Sequence, residues 1–181
     1  MARHIIMITG GQRSGKSLYA EQLALSMAER PVYLATAHVW DDQFRQRVLV
    51  HQARRGPRWE NIEEERYLSR HDLGGRVVLV DCLTLWATNF LFDPATGAER
   101  PESDDILGEL RSELNRLLQQ DATFILVTNE IGMGGVSSHP LQHRFADLQG
   151  ALNQQAAAAA DEVVLMVSGI AVKIKQPEQK S

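Results

Sequence analysis

Eight residues near the start of the chain, Gly10, Gly11, Gln12, Arg13, Ser14, Gly15, Lys16 and Ser17, satisfy the pattern Gly-x4-Gly-Lys-Ser. Glycines at this spacing let successive backbone N–H groups turn inward around an anion, and a helix opening near Lys16 adds the positive end of its dipole. In such a loop Lys16 reaches the β- and γ-phosphates of a nucleoside triphosphate and the Ser17 hydroxyl ligates Mg²⁺, with Arg13 and Ser14 as further donors. The loop alone implies only that a triphosphate binds with Mg²⁺. The metal's second protein ligand is expected at the end of a later buried strand, and Asp81, closing "RVVLVD", stands there. Cys82 beside it reads as a small buried residue rather than a nucleophile.

A second group of reactive side chains lies in "RQRVLVHQARRGPRW", residues 45–59. If this segment is helical, Arg47, His51, Arg54 and Arg55 share one face. Arginine charges disfavour protonation of a neighbouring imidazole, which keeps a nitrogen lone pair available, and they would hold a polyphosphate against it. Attack by that nitrogen on an α-phosphorus would give a histidyl-nucleotide. On spacing alone, a solvated basic helix face accounts for His51 better than catalysis does. His4, His38 and His71 are isolated. His139 and His143 stand four apart without an evident third ligand, so none is assigned to a metal.

The elements that must position these groups are legible as apolar runs. Residues 4–9, 31–36, 76–81, 123–128 and 162–168 are nearly unbroken and β-branched, as in strands buried on both faces of a parallel sheet, and 171–175 is a sixth short candidate. Helical periodicity occupies residues 17–29. It recurs at Ile106, Leu110, Leu114, Leu117 and Leu118, with Ser103 as the expected N-cap, and at Leu141, Phe145, Leu148, Leu152 and Ala156. The alanine run 156–160 is expected to be a tight packing face. Residues 92–103 read as a loop. The expected fold is α/β: a P-loop NTPase of the RecA-like kind, with a mostly parallel central sheet flanked by helices. Residues 1–175 are expected to form one nucleotide-binding catalytic domain, followed by a frayed tail at 176–181.

Bulk properties narrow the partners. Nineteen Lys and Arg against 23 Asp and Glu give a formal charge of −4, which argues against a general nucleic-acid binder. A single cysteine excludes an internal disulfide. No apolar run approaches the roughly 20 residues of a membrane helix, and no cleavable signal precedes the first strand, so a cytoplasmic protein is expected.

Eight blocks in order, "TGGQRSGKS", "YLATA", "DD", "RVLVHQARRGPRW", "VDCLTLWATN", "VTNEIGMGGV", "FADLQGALNQ" and "AADEVVLMVSGIAVKIK", span nearly the whole chain. Together they resemble the bifunctional adenosylcobinamide kinase/adenosylcobinamide-phosphate guanylyltransferase family of adenosylcobalamin biosynthesis. The resemblance implies two reactions. ATP or GTP phosphorylates the aminopropanol hydroxyl of adenosylcobinamide, and GTP then transfers GMP to adenosylcobinamide-phosphate through a histidyl-GMP intermediate at the position of His51. It also implies nucleotide contacts at the loop, at Ala35, Thr36 and Ala37, at Gln52, Ala53, Arg54 and Arg55, at Glu63, and at the turn from Asp81 to Leu85. A homotrimer is implied as well. Either Glu130, just past the strand 123–128, or Asp81 could act as the base that orients the attacking hydroxyl. The chain departs from the family pattern at Arg55-Gly56-Pro57 and at Ser137, His139 and His143, on the expected corrinoid or subunit side.

Other readings predict different features. A GTP-binding regulatory module would carry Asn-Lys-x-Asp, whereas "VTNEIG" lacks the lysine and the second acid. A DNA-dependent ATPase would present a basic surface. A plain small-molecule kinase would lack the transferase step.

Overall fold

The structure, a computed structural model, describes residues 2–38, 56–135 and 137–176. Along the chain the described elements are strand β1 (His4–Gly10), helix α1 (Lys16–Met27), β2 (Val32–Ala35), β3 (Glu60–Glu63), β4 (Val77–Asp81), α2 (Leu83–Leu91), α3 (Ile106–Leu118), β5 (Thr123–Val127), α4 (Pro140–Ala159), β6 (Glu162–Val167) and β7 (Ile170–Lys175). The strands form one sheet in the order β3-β2-β4-β5-β1-β6-β7. Every pairing is parallel except β6 with β7, a hairpin turned at Ser168 and Gly169.

The unbroken apolar runs have the cause expected of them. Successive residues of a strand point to opposite faces, and both faces here are covered. Ile5, Met7, Val78, Val80, Phe124 and Leu126 join one buried cluster with Trp86, Phe90, Leu110, Leu114 and Leu152 of α2, α3 and α4. Ile6, Ile8, Val77, Leu79, Ile125 and Val127 join a second cluster with Ala20 and Ala24 of α1. Two alanines on the inner side of α1 let that helix lie close to the sheet. Each fully buried aliphatic side chain contributes about 1.5–3 kcal/mol, so the two clusters hold the helices rigidly against the strands that carry the site.

Several boundaries differ from expectation. Helix α1 ends at Met27 instead of residue 29, because the backbone is already extended at Ala28 ahead of Pro31. The cap of α3 is Asp105 and not Ser103: the Asp105 carboxylate accepts the Gly108 N–H at 2.9 Å. In the alanine run, Ala156 and Ala160 are buried while Ala158 and Ala159 are exposed, so packing follows the helical period and does not fill the run. Strand β3 and helix α2 had no expected counterpart. The tail expected to fray lies, from residue 177 onward, outside the described residues.

Because β1, β2, β4, β5 and β6 run the same way, their carboxyl ends share one edge of the sheet, where α/β proteins bind ligands. The Gly10–Ser17 loop, Ala35–Ala37, Asp81 and the segment after β5 all emerge on that edge.

Candidate active site

The loop between β1 and α1 is shaped by glycines and braced from behind. Gly10 has φ +150°, and a Cβ there would stand 2.4 Å from the Met166 carbonyl oxygen. Gly15 caps α1 at φ +94°, with a virtual Cβ 3.4 Å from Gly169 Cα. The Gly169 N–H donates to Ser14 O at 2.9 Å. The β6–β7 turn therefore clasps the loop: at Gly10 a side chain has no room, and at Gly15 the positive φ favours glycine. Gly11, Gln12, Arg13 and Gly15 are exposed, whereas Ser14 and Lys16 are buried. The first turn of α1 holds no acidic side chain, so the positive end of its dipole faces the loop unopposed. Among the described residues the buried Thr9 and Ser14 hydroxyl oxygens have no hydrogen-bond partner, and an anion seated in the loop would give the Ser14 hydroxyl one.

Lys16 Nζ reaches back along the loop and donates to Gly11 O at 2.7 Å. Burial pulls its pKa below the usual lysine value, against the opposing influence of the neighbouring Cys82 and Asp81. A charge held in such surroundings gains from an arriving phosphate.

Asp81 ends β4, one strand removed from β1, with β5 between them; Asp81 pairs in register with Val127, as does Ile8. Tyr33 Oη donates to Asp81 Oδ2 at 2.5 Å, and the Tyr33 ring stands edge-on to Trp59 with centroids 5.6 Å apart. The carboxylate is thus oriented by one hydroxyl while remaining half-buried at the sheet edge. Mg²⁺ takes few protein ligands, all oxygen, and completes its shell with phosphate and water. The Ser17 hydroxyl and the Asp81 carboxylate, both partly accessible beside the loop, fit that demand.

Thr36 braces the end of β2 against the end of β4. It is fully buried; its Oγ1 donates to Cys82 O at 2.8 Å and accepts from Cys82 N at 2.9 Å. Its own N–H donates to Asp81 O, and its carbonyl accepts from Asn89 Nδ2. Every polar atom of Thr36 is thereby committed within the protein, whereas Ala35 and Ala37 on either side are partly open. Cys82 is buried, and burial pushes its thiol up to about 12. Leu85 packs partly against the α1-side cluster. Glu63 is exposed at the end of β3, opposite Ala35 in the register.

Glu130 follows β5 at the same edge. Its N–H donates to Gly10 O at 3.1 Å, and its Oε1 accepts from the Gly132 N–H at 3.0 Å. The residue before it is held on both sides: Asn129 N donates to Thr84 Oγ1 at 2.9 Å, and Asn153 Nδ2 donates to Asn129 O at 3.0 Å. Behind these, Thr128 Oγ1 donates to Asn153 Oδ1 at 2.7 Å and accepts from Gln149 Nε2 at 2.9 Å. Sequence reasoning missed Tyr33, Thr84, Gln149 and Asn153 as supports. The signal was in the blocks that hold them, notably the polar Gln149 and Asn153 on the buried side of α4.

His51, Gln52, Ala53, Arg54 and Arg55 lie outside the described residues. Four of the five other histidines contact carboxylates: His4 with Asp161 and Glu162, His38 with Glu65, His71 with Glu64 and His143 with Asp147.

The family model "Cobinamide kinase / cobinamide phosphate guanyltransferase" matches residues 6–174. The chain is 40% identical over 182 residues to the bifunctional adenosylcobalamin biosynthesis protein CobU of Escherichia coli, covering 94% of this chain and 99% of that protein. It is 41% identical to the CobU of Salmonella typhimurium, with the same coverage, and 38% identical to the CobP of Pseudomonas aeruginosa, covering 93% and 96%. Among solved structures, a prototypical ATPase from the type III secretion system of pathogenic bacteria superposes with a TM-score of 0.54 at 13% identity, covering 94% of this chain and 56% of that one. A second solved ATPase domain gives 0.51 at 14% identity, covering 90% and 69%. These two likenesses establish the P-loop ATPase fold and nothing further. The match along almost the entire length establishes more: the chain belongs to the cobinamide kinase / cobinamide phosphate guanyltransferase family.

Proposed function

We propose that this protein is a bifunctional enzyme of adenosylcobalamin biosynthesis that phosphorylates the aminopropanol hydroxyl of adenosylcobinamide and then guanylylates the product. The observation that carries the reading is the family match over residues 6–174, on a fold whose sheet edge brings the loop, Asp81 and Glu130 together. In the kinase step the loop N–H groups and Lys16 hold the triphosphate of ATP or GTP. Ser17 and Asp81 would hold Mg²⁺, which when bound offsets the charge that develops on the transferring phosphoryl group. Tyr33 keeps the Asp81 carboxylate in one orientation. Glu130 accepts the proton of the attacking hydroxyl, a role supported by its position past the end of β5 and beside the loop. Asp81 is assigned to Mg²⁺ and accepts from Tyr33, which leaves Glu130 as the base.

In the transferase step a His51 ring nitrogen attacks the α-phosphorus of GTP, and pyrophosphate leaves. The phosphate of adenosylcobinamide-phosphate then attacks the histidyl-GMP, giving adenosylcobinamide-GDP and restoring the imidazole. Imidazole suits double displacement because it is both nucleophile and leaving group. Gln52, Ala53, Arg54, Arg55 and Glu63 are assigned to GTP on the same family reading, together with Ala35, Ala37 and Leu85. We place the enzyme in the cytoplasm as a homotrimer. Among the described residues no helix is long and apolar enough to cross a membrane. The exposed apolar side chains Val167, Ile170, Val172 and Ile174 on the β6–β7 hairpin offer a surface for subunit contact.

The test is covalent labelling. Wild-type protein incubated with α-³²P-GTP and Mg²⁺, then denatured, should carry acid-labile, base-stable label that His51→Ala abolishes. The His51→Ala protein should still phosphorylate adenosylcobinamide, and Lys16→Ala should not. Label that survives His51→Ala refutes the intermediate. Kinase activity without any label in wild type would leave a plain small-molecule kinase. Sedimentation at micromolar concentration tests the trimer.

A further inference from the structure

Strand β5 lies between β1, which carries the phosphate loop, and β4, which ends at Asp81. On the β1 side its hydrogen bonds run on past the end of the strand: the Thr128 N–H donates to Ile8 O at 3.0 Å and the Glu130 N–H to Gly10 O at 3.1 Å. On the β4 side the ladder stops at the pair Asp81–Val127, because the chain turns from there into α2. Backbone groups left without a ladder need other partners, and two side chains supply them. Thr84, three residues past Asp81, accepts the Asn129 N–H at 2.9 Å, and Asn153 of α4 donates to Asn129 O at 3.0 Å. Residues 128–130 thus bridge the turn after Asp81 to the first residue of the phosphate loop.

We infer that Asn153 is a positioning residue for the kinase step: through residues 128–130 it holds the phosphate loop and the turn after Asp81 at one spacing. The inference rests on the assignment of Mg²⁺ to Ser17 and Asp81 above, since those two ligands come from opposite ends of the bridge. Asn153 is itself held, its Oδ1 accepting from Thr128 Oγ1 at 2.7 Å and from Gln149 Nε2 at 2.8 Å. Thr128 and Gln149 are fully buried and Asn153 is 7% exposed. Fastening α4 to the sheet does not require these polar groups, because Leu148, Leu152 and Ala156 of the same helix join the apolar cluster there. What the polar groups add is direction. A buried network with its partners satisfied specifies one arrangement, whereas an apolar contact tolerates sliding. Asn153 acts through the Asn129 carbonyl and not on the substrate. Phosphoryl transfer is sensitive to such spacing, since a misplacement of about 1 Å costs about a hundredfold in rate.

The experiment is steady-state kinase kinetics with adenosylcobinamide and ATP, titrated with Mg²⁺ well below each protein's melting temperature. Asn153→Leu keeps the volume and removes the hydrogen bonds. It should lower kcat about 10–100-fold and raise the half-saturating Mg²⁺ concentration about fivefold, while the KM for adenosylcobinamide stays within about twofold. Leu152→Ala, which opens a cavity on the same helix without touching the bridge, should lower the melting temperature and leave kcat and the Mg²⁺ requirement within about twofold of wild type. Thr128→Val and Thr128→Ser carry the test if Asn153→Leu does not fold: the valine should shift kcat and Mg²⁺ in the same direction, and the serine, which keeps the hydroxyl, should restore both. The inference is overturned if folded Asn153→Leu keeps kcat within twofold of wild type, if Leu152→Ala loses as much activity, or if Thr128→Val and Thr128→Ser behave alike. An Asp81→Asn protein with an unchanged Mg²⁺ requirement would refute the metal assignment instead, and kcat alone would then decide the role of Asn153.

Discussion

Replacing Gly10 with alanine tests the clasp between the loop and the β6–β7 turn. The added Cβ would stand 2.4 Å from Met166 O and 3.0 Å from Ser14 Oγ, at a φ of +150°. Ordinary carbon–oxygen contacts lie near 3.4 Å, so the carbonyl must retreat by about an ångström. It is not free to do so, because Gly10 and Met166 are the last register pair of β1 and β6. Overpacking costs about 1–3 kcal/mol and the backbone conformation a similar amount. The two are relieved by the same movement, so a net loss of about 3 kcal/mol is expected. Urea unfolding followed by tryptophan fluorescence should show a lower midpoint at unchanged slope, and the melting temperature should fall by about 10 °C. Gly11→Ala is the internal control, since a Cβ there meets nothing within 4 Å; its stability should stay within about 0.5 kcal/mol of wild type. A Gly10→Ala protein as stable as Gly11→Ala would refute the argument that the β6 carbonyl dictates glycine at position 10.

Two further outcomes follow from buried ionisable groups. Lys16→Met should leave the nucleotide-free protein at least as stable as wild type, because burial disfavours the ammonium and methionine keeps most of the stem volume; thermal unfolding should also show that ATP with Mg²⁺ no longer raises the melting temperature, and a clear drop without nucleotide would mean the bond to Gly11 O outweighs burial. Cys82, its thiol pushed from 9.0 up to about 12 by burial, should react with iodoacetamide at pH 8 about a thousandfold more slowly in the native protein than after unfolding. Because the folded value is raised, the linked stability is fully present below about pH 9 and declines as pH climbs from there toward 12, a decline that Cys82→Ala should lessen in alkaline denaturation curves.

What was legible in the sequence follows burial. Strands β1, β4, β5 and β6 are covered on both faces and read as continuous apolar runs, with ends within a residue of those expected. Strand β3, "ENIE", lies at the sheet edge with two of its four residues exposed, so no apolar run marks it. Helix α2, "LTLWATNFL", is buried on nearly every side, seven of its nine residues being inaccessible. An apolar surround has no periodicity, and without a polar stripe the 3.6-residue signal vanishes. The loop, Asp81 and Glu130 were legible because strand ends fix where they emerge. Tyr33 and Thr36 were not assigned as supports, because their partners Asp81 and Cys82 are more than forty positions away and become neighbours only through the pairing of β2 with β4. Thr36 is fully buried, with its polar atoms bonded to Cys82, Asp81 and the Asn89 side chain.

The place of β1 in the sheet also bears on how the chain is made. It is synthesised first among the strands, yet its two neighbours, β5 and β6, come from residues 123–127 and 162–167. At ribosomal rates of about 5–20 residues per second, the stretch "HIIMIT" waits about 10–30 s for both partners to be made. During that interval an apolar, β-branched segment has no native ladder to join, and closing the sheet late demands contacts of long sequence separation. The central position that lets β1 present the phosphate loop therefore leaves this strand in need of chaperone cover until β5 and β6 are made. Variants that slow the appearance of β6 should aggregate through this strand.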